Sequence, residues 1–195
     1  MTAPGSVTAF QGSRRIASGT LIDVAIAAKA AMAERADPVL IFDDSNSEVL
    51  EVDFRGSEDD VRTRLAPAAR QEAVLSRGPG RPKLGVVARE VTLLPRHWDW
   101  LAAQSGGASA TLRRLIDEAR RSAAGERRRA QTSLYRFMTT MAGDAAGYEE
   151  AIRALFAGDR SRFNALTGDW EPDVRDHAWR LAPAAFGEPP SALDR

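Results

Sequence analysis

The sequence predicts an α+β protein in three parts: a small N-terminal α/β unit, a central strand–helix–helix segment and a C-terminal helical region. Three observations predict it. Short strand-like runs occur only in the first 54 residues and again at 86–94. The last third carries apolar residues at helical spacing, with Gly143, Gly158 and Gly168 where helix C-termini belong. Between the first two parts lies Ser76-Arg77-Gly78-Pro79-Gly80-Arg81-Pro82-Lys83, whose two glycines and two prolines mark an extended linker. The expected bounds are 1–75, a basic linker 76–84, 85–125, 126–186 and a frayed Pro-rich tail at 187–195.

In order along the chain, Val7-Thr8-Ala9-Phe10-Gln11 reads as a strand, Gly12-Ser13 as a turn and Arg14 to Ser18 as the return strand. Thr20 is placed to cap a helix reaching about Arg35, with Leu21, Val24, Ala25, Ala28 and Met32 on one stripe. Asp37-Pro38 stops that helix. Val39-Leu40-Ile41-Phe42 reads as a buried strand, and the alternation from Glu48 to Phe54 as its hairpin partner across Asp43-Asp44-Ser45-Asn46-Ser47. Ser57 opens a helix whose first turn, Glu58-Asp59-Asp60, suits the macrodipole. Val86 to Leu94 is a strand. Pro95 starts a short helix to Gln104, and Ser109, after the turn Ser105-Gly106-Gly107-Ala108, is read as the cap of a second. Leu112, Leu115, Ile116 and Ala119 form the stripe of that second helix, and Arg113, Arg114, Arg120 and Arg121 lie largely off it. Further helices are expected near 126–142, 147–157, 160–167 and 173–182, with Asp159 as an N-cap and Pro172 in a first turn.

Composition narrows the function classes. The chain has 195 residues, 44% of them hydrophobic, enough for a real core. It has no cysteine, which excludes disulfides, thiolate zinc sites, iron–sulfur clusters and cysteine catalysis and fits a reducing compartment. No stretch has the pattern of a secretory signal or the length of a membrane span, so a cytoplasmic protein without membrane contact is expected.

The formal net charge is zero, but its distribution is not even. Arg77 to Arg136 holds thirteen basic and five acidic residues, about +8, whereas residues 1–76 and 137–195 are each about −4. Arginine outnumbers lysine 25 to 2, a compositional bias that deprives arginine abundance of meaning by itself. Its placement carries the information: a basic middle between acidic ends is the footprint of a polyanion-binding module.

Residues 86–122 resemble the ribbon-helix-helix family of DNA-binding proteins. Arg89-Glu90-Val91-Thr92-Leu93-Leu94-Pro95 matches the strand and proline, Trp98 and Leu101 the core positions of the first helix, and Gly107-Ala108-Ser109 the turn and cap. The resemblance implies that two chains pair their strands into an antiparallel ribbon lying in the DNA major groove, so it implies a homodimer through Val86–Leu94. Two registers are open. One puts Leu93, Val91 and Arg89 outward, the other Thr92 and Glu90, and a bulge rescues either choice. The stripe of the second helix is offset by two residues from the family's usual spacing. Gly80-Arg81-Pro82-Lys83 resembles the core of an AT-hook, in which an extended Gly-Arg-Pro inserts its arginine into a narrow minor groove. The plain alternative is an ordinary strand and two helices packed on neighbouring parts of the chain, after a linker that happens to be charged.

Over its full length the sequence also resembles an uncharacterised bacterial family known as "domain of unknown function twenty-two thirty-nine". The matching stretches are Gly80 to Trp98, Ser133-Leu134-Tyr135-Arg136-Phe137-Met138, Ala154-Leu155-Phe156-Ala157-Gly158-Asp159 and Asp173-Val174-Arg175-Asp176-His177. This resemblance implies no activity.

The expected function is a non-enzymatic, dimeric binder of double-stranded DNA, a transcriptional regulator or antitoxin-like factor, with no cofactor. Arg77, Arg81 and Lys83 would line the minor groove. Arg89 and Thr92 would face base edges. Ser109 would cap the second helix and present backbone N–H groups to phosphate, with Arg113 and Arg114 as phosphate or dimer contacts. Glu126-Arg127-Arg128-Arg129 extends the basic run as a phosphate contact or a solvated helix end. A second reading is a protein-interaction module whose acidic ends mask the basic middle. A metal-dependent hydrolase would rest on Asp173 and His177, four apart on a helix, and on scattered acids at Asp43, Asp44, Asp53 and Glu58 to Asp60. No third ligand has suitable spacing, and solvated turns and a helix N-terminus explain the acids. Trp98, Trp100, Trp170 and Trp179 read as core or interface aromatics. Trp98 and Trp100, two apart, cannot share a helix face.

Overall fold

The computed structural model describes residues 5–74 and 87–187. Strands β1 (Ser6–Gln11) and β2 (Arg14–Thr20) form a hairpin, followed by α1 (Leu21–Glu34), β3 (Val39–Asp43) and α2 (Glu58–Val74). The sheet is antiparallel in the order β2-β1-β3. The hairpin turns at Gly12, whose φ of 56° favours glycine. Thr20 caps α1 by accepting from the Asp23 N–H, and Ser57 and Asp60 cap α2 by exchanging hydrogen bonds. The central segment holds α3 (Pro95–Ala102) and α4 (Gly107–Arg121). A helical region follows: α5 (Ala123–Ala142), α6 (Tyr148–Ala157), α7 (Arg160–Thr167) and α8 (Pro172–Phe186). Asp159 caps α7, and Pro172 starts α8.

Side-chain alternation gives the sheet two buried faces. Val7, Ala9 and Ile41 pack on Val24 and Ala28 of α1. Phe10 and Phe42, on the opposite face, join Leu134, Phe137, Met138, Leu155, Phe163 and Val174 of the helical region. The result is three layers, helix on sheet on helices. Aromatic rings close the second interface: Phe137 lies 5.6 Å from Phe10 and 5.3 Å from Phe42, and stacks on His177 at 4.3 Å.

Residues 48–54 depart from the hairpin expectation. Among the described residues the pairing with β3 is limited to 48–50, through the Phe42–Val49 bridge and the bonds from Asp43 N–H to the Glu48 carbonyl at 2.9 Å and from Leu50 N–H to the Ile41 carbonyl at 2.7 Å, and no strand forms. Leu50, Val52 and Phe54 instead pack against the α1 side of the core, and Lys29 Nζ holds the Phe54 carbonyl at 2.7 Å. Beyond Leu50 the alternation reports a packed side, not a ladder. At Gly143 and Gly168 the helices end in right-handed backbone, whereas Gly158 ends α6 with φ of 76°.

The loop 43–47 is also more than a solvated turn. Asp43 closes it, accepting from the N–H and hydroxyl of Ser45. Asp44 is buried, accepts from Ser6 and Thr8 at 2.8 and 2.7 Å, and lies 3.5 Å from Arg180 of α8. Ser47 meets Ser133, and Arg136 donates to the Asn46 carbonyl and pairs with Glu48. Arg15 N donates to Asp173 at 2.8 Å. These polar contacts pin the sheet to α5 and α8.

Candidate nucleic-acid interface

Residues 87–94 enter the central segment without pairing to any described strand. Leu94 precedes α3, and Pro95 opens it, where the missing N–H costs nothing. Gly106 and Gly107, with φ of 86° and 74°, make the turn into α4. Leu101 and Thr111 are the buried residues between the two helices. The Thr111 hydroxyl is buried with no hydrogen-bond partner.

The principal packing of α3 is on α4, and that of α4 on α3 and the start of α5. The expected stripe of α4 is therefore uncovered: Leu115 and Ile116 are exposed, Ile116 at 56%. Trp98, expected in the core, is 41% exposed, and Trp100 is 50% exposed. Val87, Val91 and Leu94 are exposed as well. Among the described residues, seven of the twelve large exposed hydrophobic side chains lie between Val87 and Ile116. Four of the seven lie on the α3–α4 hairpin and three on the segment before it, and exposed apolar side chains in such numbers are what contact faces present.

Of the expected DNA contacts, Arg77, Arg81 and Lys83 lie outside the described residues. Arg89 and Thr92 are exposed on the segment before α3, where the expected strand does not form within the single chain because no described strand lies beside it. Ser109 does not cap α4. The N-cap is Gly106, because Gly107 N closes the turn on the Gln104 carbonyl and the helix begins at once. Ser109 thus sits in the first turn, where its hydroxyl accepts from Arg113 at 2.9 Å. Arg114 pairs with Glu118 one turn on, at 3.0 Å. Both arginines are exposed and locally engaged, a surface arrangement worth little in stability.

Sequence reasoning missed how the rest of the basic run is divided. Arg136 belongs to the sheet–helix seam. Arg127 lies over the ends of α6 and α8, so close that a Cβ on Gly158 would sit 2.7 Å from its guanidinium. Arg120, Arg121 and Arg129 instead line an open groove at the α4–α5 junction.

Asp173 and His177 do not form a metal site. Asp173 is held by Arg15, and His177 is buried with Nδ1 3.0 Å from Arg180 Nη2. Its pKa is depressed to about 3, first by burial and then by the charges of Arg180 and Arg15. No cluster of three or more metal-ligating side chains occurs among the described residues. Asp53 is held below the usual carboxylate range, chiefly by hydrogen bonds from Arg55. No helix among the described residues is long and apolar enough to cross a membrane.

A family model matches residues 6–182, spanning the sheet, the central hairpin and most of α8. The chain belongs to the family described as "Uncharacterized protein conserved in bacteria (DUF2239)". Searches of curated proteins and of solved structures returned no match.

Proposed function

We propose that this DUF2239 protein is a non-enzymatic DNA-binding protein that works as a dimer, a transcriptional regulator or antitoxin-like factor. The observation that carries this reading is the uncovered apolar face of the α3–α4 hairpin, set inside the one basic segment of the chain. Segment 87–94, expected as a strand, has no strand partner among the described residues. A second copy supplies one: two such segments pair antiparallel, and the α3–α4 hairpins cover each other's apolar side chains. The resulting two-stranded ribbon fits the major groove, and a bulge between Arg89 and Thr92 turns both toward base edges. The first turn of α4, including the Ser109 N–H, faces a phosphate. Arg77, Arg81 and Lys83 precede the ribbon and reach an adjacent minor groove.

Duplex titrations of the full chain at several salt concentrations test these assignments. Arg89→Ala should weaken binding and relax preference at one base position, a cost of about 1–3 kcal/mol. The double variant Arg81→Ala, Lys83→Ala should weaken all duplexes alike and flatten the salt slope by about 1–2 units. Unchanged affinity in both would refute the ribbon and the arm together.

A further inference from the structure

The basic run turns a corner where the sequence alone reads as two successive helices. Ser122 is the single residue between α4 and α5, serving as C-cap of one and N-cap of the other with ψ of 151°. Its hydroxyl accepts from the Gly125 N–H at 3.1 Å and donates to the Ala119 carbonyl at 2.7 Å, stitching the two helix ends together. Gly125 makes the corner tight. A Cβ there would lie 2.1 Å from the Ala119 carbonyl oxygen and 3.1 Å from that of Arg120, contacts that backbone cannot absorb without moving.

The corner gathers charge that the sequence spreads over ten residues. Arg120 and Arg121, at the end of α4, and Arg129, two turns into α5, surround an open groove of about 510 Å³ whose other lining residue is Asp117. Arg129 donates to the Arg120 carbonyl, and Arg121 Nε to the Asp117 carbonyl at 3.1 Å, so two of the three side chains are tethered through backbone acceptors. Among the described residues none of the three pairs with a carboxylate, in contrast to Arg114 and Arg136. Each guanidinium carries five N–H donors, and these two hydrogen bonds leave most of them unused. The α4 dipole accounts for Arg120 and Arg121 at a helix C-terminus. It does not account for Arg129, which lies in the interior of α5.

We propose that the α4–α5 elbow is a phosphate clamp for the backbone of the duplex that the α3–α4 hairpin reads. The inference rests on the DNA-binding reading above and gives it a positioning site outside the ribbon. Guanidinium forks match phosphate oxygens in pairs of hydrogen bonds, and with Arg121 and Arg129 already tethered the set loses less side-chain freedom on binding than three free arginines. Gly125 then has a functional role: it sets the spacing of the arginines without touching the ligand.

The test uses the full chain with two variants, Arg120→Gln/Arg121→Gln/Arg129→Gln and the charge-neutral Gly125→Ala. Each is titrated with random duplex DNA between 50 and 300 mM salt and, separately, with inorganic pyrophosphate by calorimetry; circular dichroism reports helix content. The triple variant should lose roughly ten- to a hundredfold in duplex affinity at low salt and about 2–3 units of salt slope. It should also lose pyrophosphate binding. Gly125→Ala, with the same net charge, should lose several-fold in both at unchanged helix content. A triple variant that keeps the wild-type slope and pyrophosphate binding would overturn the clamp and leave the DNA reading standing. Wild-type protein that binds pyrophosphate through these arginines but no duplex would overturn the DNA reading and keep the site. Binding of neither ligand would overturn both.

Discussion

His177 shows how a single residue ties the layers together. Its ring stacks on Phe137, touches Phe10 edge-on and accepts from Arg180, which in turn reaches Asp44 across the seam. The folded protein holds the imidazole neutral down to about pH 3, against 6.5 for an ordinary histidine. Between those values the unfolded chain binds the extra proton, so the contribution is full above about pH 6.5 and is lost as pH falls toward 3. Urea unfolding at pH 7 and pH 4.5 should show about 2 kcal/mol of acid destabilisation from this site. His177→Phe should remove that part of the pH dependence while keeping the aromatic contact. An equal acid loss in wild type and variant would show that His177 does not titrate this way. This histidine was visible in the sequence only as half of an i, i+4 pair with Asp173. Its real partners, Phe10, Phe137 and Arg180, include side chains 167 and 40 residues away, and no local pattern encodes such a meeting. Asp44 was unreadable for the same reason: two adjacent acids in a turn look solvated until Arg180 arrives from 136 residues on.

At the scale of elements, local chemistry was legible wherever a cap or breaker acts on its own neighbourhood. Thr20, Ser57, Asp159, Pro95 and Pro172 all start helices where their side chains or fixed φ dictate. Ser109 misled because two glycines before it complete the turn first, leaving the serine inside the helix. The stripe Leu112, Leu115, Ile116 and Ala119 was read correctly as a stripe, but periodicity does not say what covers it. Within the chain Leu115 and Ile116 remain exposed. If a second copy covers them, Leu115→Ser/Ile116→Ser should raise the dimer dissociation constant by at least tenfold. Burying such side chains is worth about 1.5–3 kcal/mol each. Monomer stability should change by less than about 1 kcal/mol, because the sites are on the surface of the single chain. Sedimentation equilibrium and urea midpoints measure the two effects separately. A large loss of monomer stability with unchanged association would mean that the stripe serves the fold of one chain.

The whole molecule separates two jobs. The sheet, α1 and helices α5 to α8 form a fastened three-layer body with its own core. The hairpin α3–α4 leaves that body at the Ser122 corner and carries the apolar face. The +8 charge between flanks of about −4 was legible from the sequence, and it is what motivates the proposed polyanion footprint. Which arginines are free to serve it was not, because Arg127 and Arg136 are taken up by contacts with distant turns. The acidic flanks keep the whole chain neutral, so under the proposed function attraction to DNA comes from the local field of the basic segment and should be strongly salt-dependent. The most direct test of the account is the affinity of the full-length protein for random duplex DNA at about 50 and 200 mM salt, with its mass in solution measured in the same buffers. The account predicts a dimer whose affinity falls by about a thousandfold or more over that range, as six or more phosphate contacts require. A monomer with no duplex binding at the lower salt would contradict it.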